Sequence, residues 1–250
     1  MSMFLEGPFL AGMYNLTPAG APAGLDVWLL ELALGRGGLK ALLPWLSEQE
    51  QARCLRYRRG EDRMRYAATR AVLRHMLAQR LACPLQDIAL VFNAFGKPGL
   101  APHLLEREGL HFNVSHAGKH AVIALSSLGA VGVDIEAVTS VDQIWPLETG
   151  LTEAEQRYCQ EAADVDAFFR IWCGKEAVLK GLGGGISQHL SSVCVVPDAE
   201  HGYSVALPMG NPPVQAWQLQ APAGFAAALA VLEPVAAMFG HQSEMAAECS

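Results

Sequence analysis

Two short segments carry side chains whose types and spacing suit phosphoryl chemistry. In FFRIWCGKEAVLKGLGGG, residues 168–185, Trp172, Glu176 and Lys180 recur every four residues. On a helix they share one stripe, with Lys175 and Leu179 on the next. In VGVDIEAV, residues 131–138, Asp134 and Glu136 lie two apart. On a strand they share one face, separated by roughly 7 Å. If these carboxylates and Lys180 converge, they can hold a divalent cation with a phosphate on it, since Mg²⁺ takes one or two carboxylates plus substrate phosphates. Each feature alone has a plainer reading. A Glu–Lys pair four apart is ordinary on a solvated helix, and two alternating carboxylates describe any wet strand face.

The elements that must position these groups follow from periodicity. Val131, Val133 and Ile135 alternate with Gly132, Asp134 and Glu136, so the segment reads as a half-buried strand with its carboxylates toward water. Residues 165–182 read as a long helix stopped by the glycines at 181 and 183–185. Thr152 and Glu155 form a capping box for a helix over 153–162. Upstream, strand-like LDVWLLEL covers 25–32. Helices are expected near 47–57 and 61–82, and a turn at Cys83-Pro84. IALVFNAFGKPGL reads as a strand ending in a Gly-Lys-Pro turn, and LHFNVSHAGKHAVIALSS as two strands joined at His116–Lys119. Further strands are expected near 192–196, 202–206, 214–220 and 224–232. The order of elements describes two similarly built α+β halves, 1–130 and 131–250, each with helices on a small, mostly antiparallel sheet. Residues 1–24 read as a loose lead-in and 235–250 as a frayed tail.

Composition narrows the function classes. The chain of 250 residues is 51% hydrophobic, enough for one sizeable core or two smaller ones. It has no apolar run of 18 residues, so no membrane partner is expected. The N-terminal residues lack a basic leader pattern. The six cysteines are widely spaced and form no CxxC, which reads as reduced, cytoplasmic usage. Net charge is −7, yet residues 53–80 hold nine of the 18 basic residues, all arginine. That pattern suggests a local anion site and argues against a nucleic-acid surface. Three Gly-Lys pairs occur, at 96–97, 118–119 and 174–175, but none continues into the Ser or Thr of a phosphate-binding P-loop. His116 and His120 lack the glutamate of a helical zinc motif. Ser115 and His116, adjacent on a strand, point to opposite faces, which argues against a nucleophile–base pair.

Taken together, the GKP turn, FNVSHAGKHAVIAL, GVDIEAV and FFRIWCGKEAVLKGLG, in this order and spacing, resemble the 4′-phosphopantetheinyl transferase superfamily. The likeness covers roughly residues 47–232 and is to the two-domain group that primes nonribosomal peptide, polyketide and fatty-acid synthases. It implies two pseudo-symmetric α+β halves with coenzyme A in the cleft between them. It also implies Mg²⁺ and transfer of the phosphopantetheinyl arm to a serine of an acyl or peptidyl carrier protein, with release of adenosine 3′,5′-bisphosphate. A monomer is expected. Residue by residue, Asp134, Glu136 and Glu176 match the family's metal-associated carboxylates, and Glu176 its proposed general base. Lys175 and Lys180 match the two lysines of the KE(A/S)xxxK motif. Ser115 and His116 match a phosphate-contacting pair, Lys97 and Pro98 the turn against the adenine, and Arg53 and Arg65 basic residues near the 3′-phosphate. Glu153 matches a further acid, expected to tune Lys180. Tyr66 and Glu50 depart from the pattern, standing where some members have a small hydroxyl residue and a lysine. The rival reading is a non-catalytic coenzyme A or nucleotide-binding module of the same fold. Carrier proteins of such systems tend to present an acidic helix. Their dock is expected to be apolar, at Ile144, Trp145, Leu147 and Leu151, with the arginine segment as competitor.

Overall fold

The central strands of this chain are apolar on both faces, and that decides the layering. The computed structural model describes residues 9–35, 38–139, 150–162, 164–183, 190–198 and 201–233. Strands β1 (Leu10–Asn15), β2 (Leu25–Leu32), β5 (His111–Ala117) and β6 (His120–Ser126) form an antiparallel sheet in the order β1-β2-β6-β5. A second antiparallel sheet has the order β10-β11-β7, with β7 at Val131–Ala137, β10 at Val214–Leu219 and β11 at Phe225–Leu232. Two hairpins complete the strands: β3 (Leu90–Phe92) with β4 (Pro98–Leu100), and β8 (Cys194–Pro197) with β9 (Tyr203–Ala206). The helices are α1 (Leu39–Leu42), α2 (Glu48–Arg56), α3 (Gly60–Arg80), α4 (Pro102–Glu108), α5 (Glu153–Ala162) and α6 (Val165–Leu182). The fold is α+β, with helices packed on small antiparallel sheets.

Because strand side chains alternate, each inner strand feeds two cores. Val27 and Leu29 of β2, Val122 and Ala124 of β6, Val131, Val133 and Ile135 of β7, and Leu229 and Val231 of β11 meet in one cluster between the sheets. The opposite faces of β2 and β6 present Leu30, Leu32, Ala121, Ile123 and Leu125 to α3, whose Ala67, Ala71, Leu73 and Leu77 are buried there. The opposite face of β11 presents Ala226, Ala228 and Ala230 to α6. The order of layers is helix, sheet, sheet, helix. Burying apolar area twice per strand contributes about 25 cal/mol per Å² removed from water. At the seam between sheets, β5 and β7 are joined by a side chain in place of a ladder: the amide of Val133 donates to Asn113 Oδ1 at 2.9 Å.

Several expectations need correcting. The lead-in over 1–24 contains β1, an edge strand held mainly by backbone pairing to β2 and therefore weakly patterned. In both parts strand precedes helix: β1 and β2 come before α1, and β7 comes before α5. The strand expected to end at the Gly-Lys-Pro turn continues beyond it as β4, and α4 follows with Pro102 at its start. Most important, β7 is buried on both faces through Ile135. On the carboxylate face α6 covers Gly132 and Asp134, which are buried, and Glu136 is half-buried. The crossing is so close that a Cβ on Gly132 would lie 1.9 Å from the carbonyl oxygen of Ala177 and 2.5 Å from the amide of Gly181. The α5 capping box is present as read: Thr152 N–H donates to Glu155 Oε2 at 2.6 Å, and Glu155 N–H to Thr152 Oγ1 at 3.4 Å. The start of α6 is capped by Asp164, which accepts from the Ala167 amide at 2.6 Å. Its end is closed by Gly183 at φ +75°, a left-handed position that suits glycine. The expected tail at 235–250 lies outside the described residues.

Candidate active site

The polar centre forms where β5, β7 and α6 meet, and Asp134 is its hub. Asp134 is buried. Its Oδ1 accepts from Ser115 Oγ at 2.8 Å and from Lys180 Nζ at 2.5 Å, and Lys180 also donates to Ser115 Oγ at 3.2 Å. Asp134 Oδ2 is buried too, and among the described residues it has no hydrogen-bond partner. A buried carboxylate oxygen without a donor is costly. Burial by itself lowers the pKa of Lys180, but the charge of Asp134 and its hydrogen bond overcome this and hold the ammonium above its ordinary value.

Glu136, two residues along β7, and Glu176, one turn before Lys180 on α6, complete the acidic group. Burial pushes Glu176 up to about 7; the charge of Asp134 adds to the rise, and Lys180 opposes it. The same causes bring Glu136 to about 7. These mutual influences show that the strand and helix carboxylates sense one charge field. An oxygen-only donor set around an unpartnered buried oxygen fits a hard divalent cation. Among the described residues, no three such side chains are drawn together tightly enough to form a finished metal cage.

The other expected site residues divide into groups. Ser115 belongs to the hub. His116, next along β5, is exposed on the opposite side of the strand. Arg65 donates to the carbonyl of Gly118 at 2.7 Å, which fastens α3 to the β5–β6 turn beside His116, and it pairs with Asp62 at 2.5 Å. Arg53 is exposed on α2 and stands over the ring of Phe92 at 5.0 Å. Pro98 begins β4. The ammonium of Lys97 donates to the backbone carbonyls of Val131 at 3.2 Å and of Lys180. Burial brings Lys97 down to about 8, with the charge of Lys180 adding. Trp172 packs on Phe168, with ring centroids 5.9 Å apart and planes 17° from parallel.

Lys175 is the expected ligand contact that the structure places elsewhere. It is fully buried and donates to both carboxylate oxygens of Glu155, at 2.8 and 2.6 Å, and to the carbonyl of Val193 at 2.7 Å. It is adjacent to Glu176 and so about 100° around the helix from it, and it points into the core between α5 and β8. Glu155 is the acid with the buried partner, and that partner is Lys175. Glu153, expected to tune Lys180, is exposed. Glu50, where the family resemblance breaks, lies buried between Arg70 and Arg74 at 3.5 and 3.3 Å. Sequence reasoning missed Asn113 and Asn93; no spacing pattern links them to their partners 20 and 90 residues away. The expected dock residues Ile144, Trp145 and Leu147 lie outside the described residues, and Leu151 is buried in the core beside α6.

Residues 130–230 match the 4′-phosphopantetheinyl transferase superfamily, and residues 36–128 match the 4′-phosphopantetheinyl transferase N-terminal family. A provisionally named 4′-phosphopantetheinyl transferase of Synechocystis sp. is 34% identical over 165 residues, covering 64% of each chain, so the match spans just under two thirds of that relative. The 4′-phosphopantetheinyl transferase HetI of Nostoc sp. is 30% identical over 168 residues, covering 66% of this chain and 70% of the relative. The 4′-phosphopantetheinyl transferase Sfp of Bacillus subtilis is 25% identical over 194 residues, covering 77% and 84%. With both parts of the chain matched and the acidic hub lying at their junction, this chain belongs to the 4′-phosphopantetheinyl transferase superfamily.

Proposed function

We propose that this protein transfers the 4′-phosphopantetheinyl arm of coenzyme A to a serine hydroxyl of an acyl or peptidyl carrier protein. The observation that supports this most directly is the hub: Asp134, buried, with Ser115 and Lys180 on one oxygen and the other oxygen unpartnered. Around it stand two carboxylates held near neutrality. The halves 1–130 and 131–250 join near this site, and the cleft between them receives coenzyme A. The serine oxygen bonds to the phosphorus that carries the pantetheine arm. The bond from that phosphorus to the bridging pyrophosphate oxygen breaks, and adenosine 3′,5′-bisphosphate leaves with that oxygen. Glu176 takes the serine proton, a role that a carboxylate with a pKa about 7 suits. Lys180 places positive charge where the leaving oxygen becomes negative. Ser115, His116, Arg53 and Arg65 orient the phosphates. Asp134, Glu136 and Glu176 would hold Mg²⁺, which when bound neutralises the pyrophosphate and polarises its phosphorus.

The test is direct. The protein is incubated with coenzyme A, Mg²⁺ and an apo carrier protein, and the carrier is weighed by mass spectrometry. The expected result is a carrier heavier by one phosphopantetheinyl group on its serine, with adenosine 3′,5′-bisphosphate released in equal amount. Tight coenzyme A binding with no transfer to any apo carrier would overturn the enzyme reading in favour of a binding module.

A further inference from the structure

The β3–β4 hairpin reaches across the molecule and grips the last turn of α6. Two side chains do this. Asn93, in the hairpin loop, accepts from the amides of Phe95 and Lys97 at 3.0 and 2.9 Å through Oδ1, which shapes the loop. Its Nδ2 donates to the carbonyl of Gly183 at 3.1 Å, just past the helix end. Lys97 leaves the same loop and places its ammonium between the carbonyls of Lys180 and Val131. The carbonyl of Lys180 also accepts from the capping amide of Gly183 at 3.2 Å and has a second lone pair free for the ammonium, and the helix dipole is negative there, which favours a cation. Val131 is the first residue of β7. One ammonium therefore ties together the start of the strand that carries Asp134 and Glu136 and the end of the helix that carries Glu176 and Lys180. It does so beside Gly132 and Gly181, where strand and helix already touch backbone to backbone.

We infer that Lys97 and Asn93 are positioning residues: they fix the register of α6 on β7, and so the placement of Lys180 on Asp134, from the opposite part of the chain. This rests on the transferase reading for its kinetic consequence, though not for its structural one. It also assigns the Lys97 side chain a role other than contact with the adenine. Two of its ammonium protons are directed at the carbonyls of Val131 and Lys180. A hairpin that grips the catalytic helix makes the site depend on the first part of the chain even where that part contributes no reacting group.

Two variants separate the ties. Lys97→Met keeps the stem and removes the ammonium. Asn93→Asp keeps the acceptor that shapes the loop and removes the N–H to Gly183; Asn93 is exposed, so this change does not disturb a core. Two readouts are taken on the full chain: amide hydrogen exchange over residues 179–183, and steady-state transfer from coenzyme A to an apo carrier. The expected result is exchange at least about ten times faster at the end of α6 in both variants, with kcat down about tenfold and the KM for coenzyme A within about threefold of wild type. A KM for coenzyme A raised tenfold with kcat and exchange unchanged would make Lys97 a ligand contact and overturn the inference. So would faster unfolding with exchange at 179–183 and kcat both unaltered. If the wild-type protein transfers no arm, the transferase reading fails by itself, and the exchange measurement still decides whether the hairpin holds the helix.

Discussion

Asp134 is the side chain on which the other charged groups of the site depend, and its burial changes what its removal should do. On a wet strand face, Asp134→Ala would cost activity alone. Here it would also strand the Lys180 ammonium, whose side chain is only 22% exposed, beside Ser115. Breaking one side of a buried pair costs 3–5 kcal/mol, and partial exposure reduces this to about 1–3 kcal/mol. Asp134→Ala should therefore abolish transfer and lower the urea midpoint, and Asp134→Ala combined with Lys180→Met should recover much of the midpoint without activity. Additive losses in the double variant would show that the two side chains are not coupled. Glu176 gives a second prediction, in pH. Its folded pKa, about 7, lies above the ordinary 4.5. The folded protein thus binds more protons than the unfolded chain between those values, and stability must fall as pH rises from about 4.5 to about 7, then level off. For Glu176 the full excursion is up to about 3 kcal/mol. Glu176→Gln should flatten the fall measured by urea denaturation in chelator, and millimolar Mg²⁺ should flatten it in the wild type. A wild-type profile that rises over this range would remove the buried, cation-hungry carboxylate from the account.

At the scale of elements, the site is a crossing of β7 and α6, and glycine makes the crossing possible. Gly132 occupies the face of β7 that Asp134 and Glu136 also use, and the backbone of α6 at Ala177 and Gly181 fills the space where a side chain would go. Gly132→Ala must push the helix off the strand. Overpacking of this kind costs 1–3 kcal/mol in cores with room to adjust, and a backbone wall gives less room. The expected loss is about 3 kcal/mol in melting experiments, with transfer reduced even where the protein is folded, because Lys180 moves with the helix. Unchanged stability would mean that strand and helix can separate at Gly132 without cost. The sequence makes both elements legible: alternation through Val131, Val133 and Ile135 marks the strand, and the four-residue recurrence of Trp172, Glu176 and Lys180 marks the helix. What it hides is which face each element buries. A strand whose polar face carries Gly, Asp and Glu looks identical whether water or a helix covers it. The same limit explains Lys175, which sits in a motif of charged residues yet points to Glu155 in the core, and Glu155, whose capping-box spacing was visible while its ion pair 20 residues away was not. Pairings between distant segments leave no period to read, so Lys97 on the end of α6 is visible only in three dimensions.

Over the whole molecule, a net charge of −7 coexists with one arginine-dense segment, and the fold sorts those arginines. Arg70 and Arg74 are turned inward to Glu50, Arg63 donates to the carbonyl of Tyr57 at 2.8 Å, Arg65 to that of Gly118, and Arg80 pairs with Asp26 at 2.8 Å. Arg53, Arg56, Arg58 and Arg59 are exposed at the end of α2 and the start of α3. Apolar Leu55 is exposed among them, and Phe92 underlies Arg53. For the apolar dock expected from sequence, Leu151 is already occupied by the core, which shifts the balance toward the arginine surface. An acidic protein meets an acidic partner only through such a local reversal of sign. The triple variant Arg56→Glu, Arg58→Glu, Arg59→Glu should raise the KM for an acidic apo carrier at least about tenfold and leave the KM for coenzyme A within about twofold, since Arg53 and Arg65 are retained. Because the three groups are solvated, the wild-type KM for carrier should also climb steeply as salt rises from about 0.05 to 0.5 M, where the screening length falls from about 14 Å to about 4 Å. The variant should have lost most of that salt dependence. A carrier KM indifferent both to salt and to the triple reversal would place the dock on an apolar surface away from α2, and the arginines at 56, 58 and 59 would then serve solubility alone.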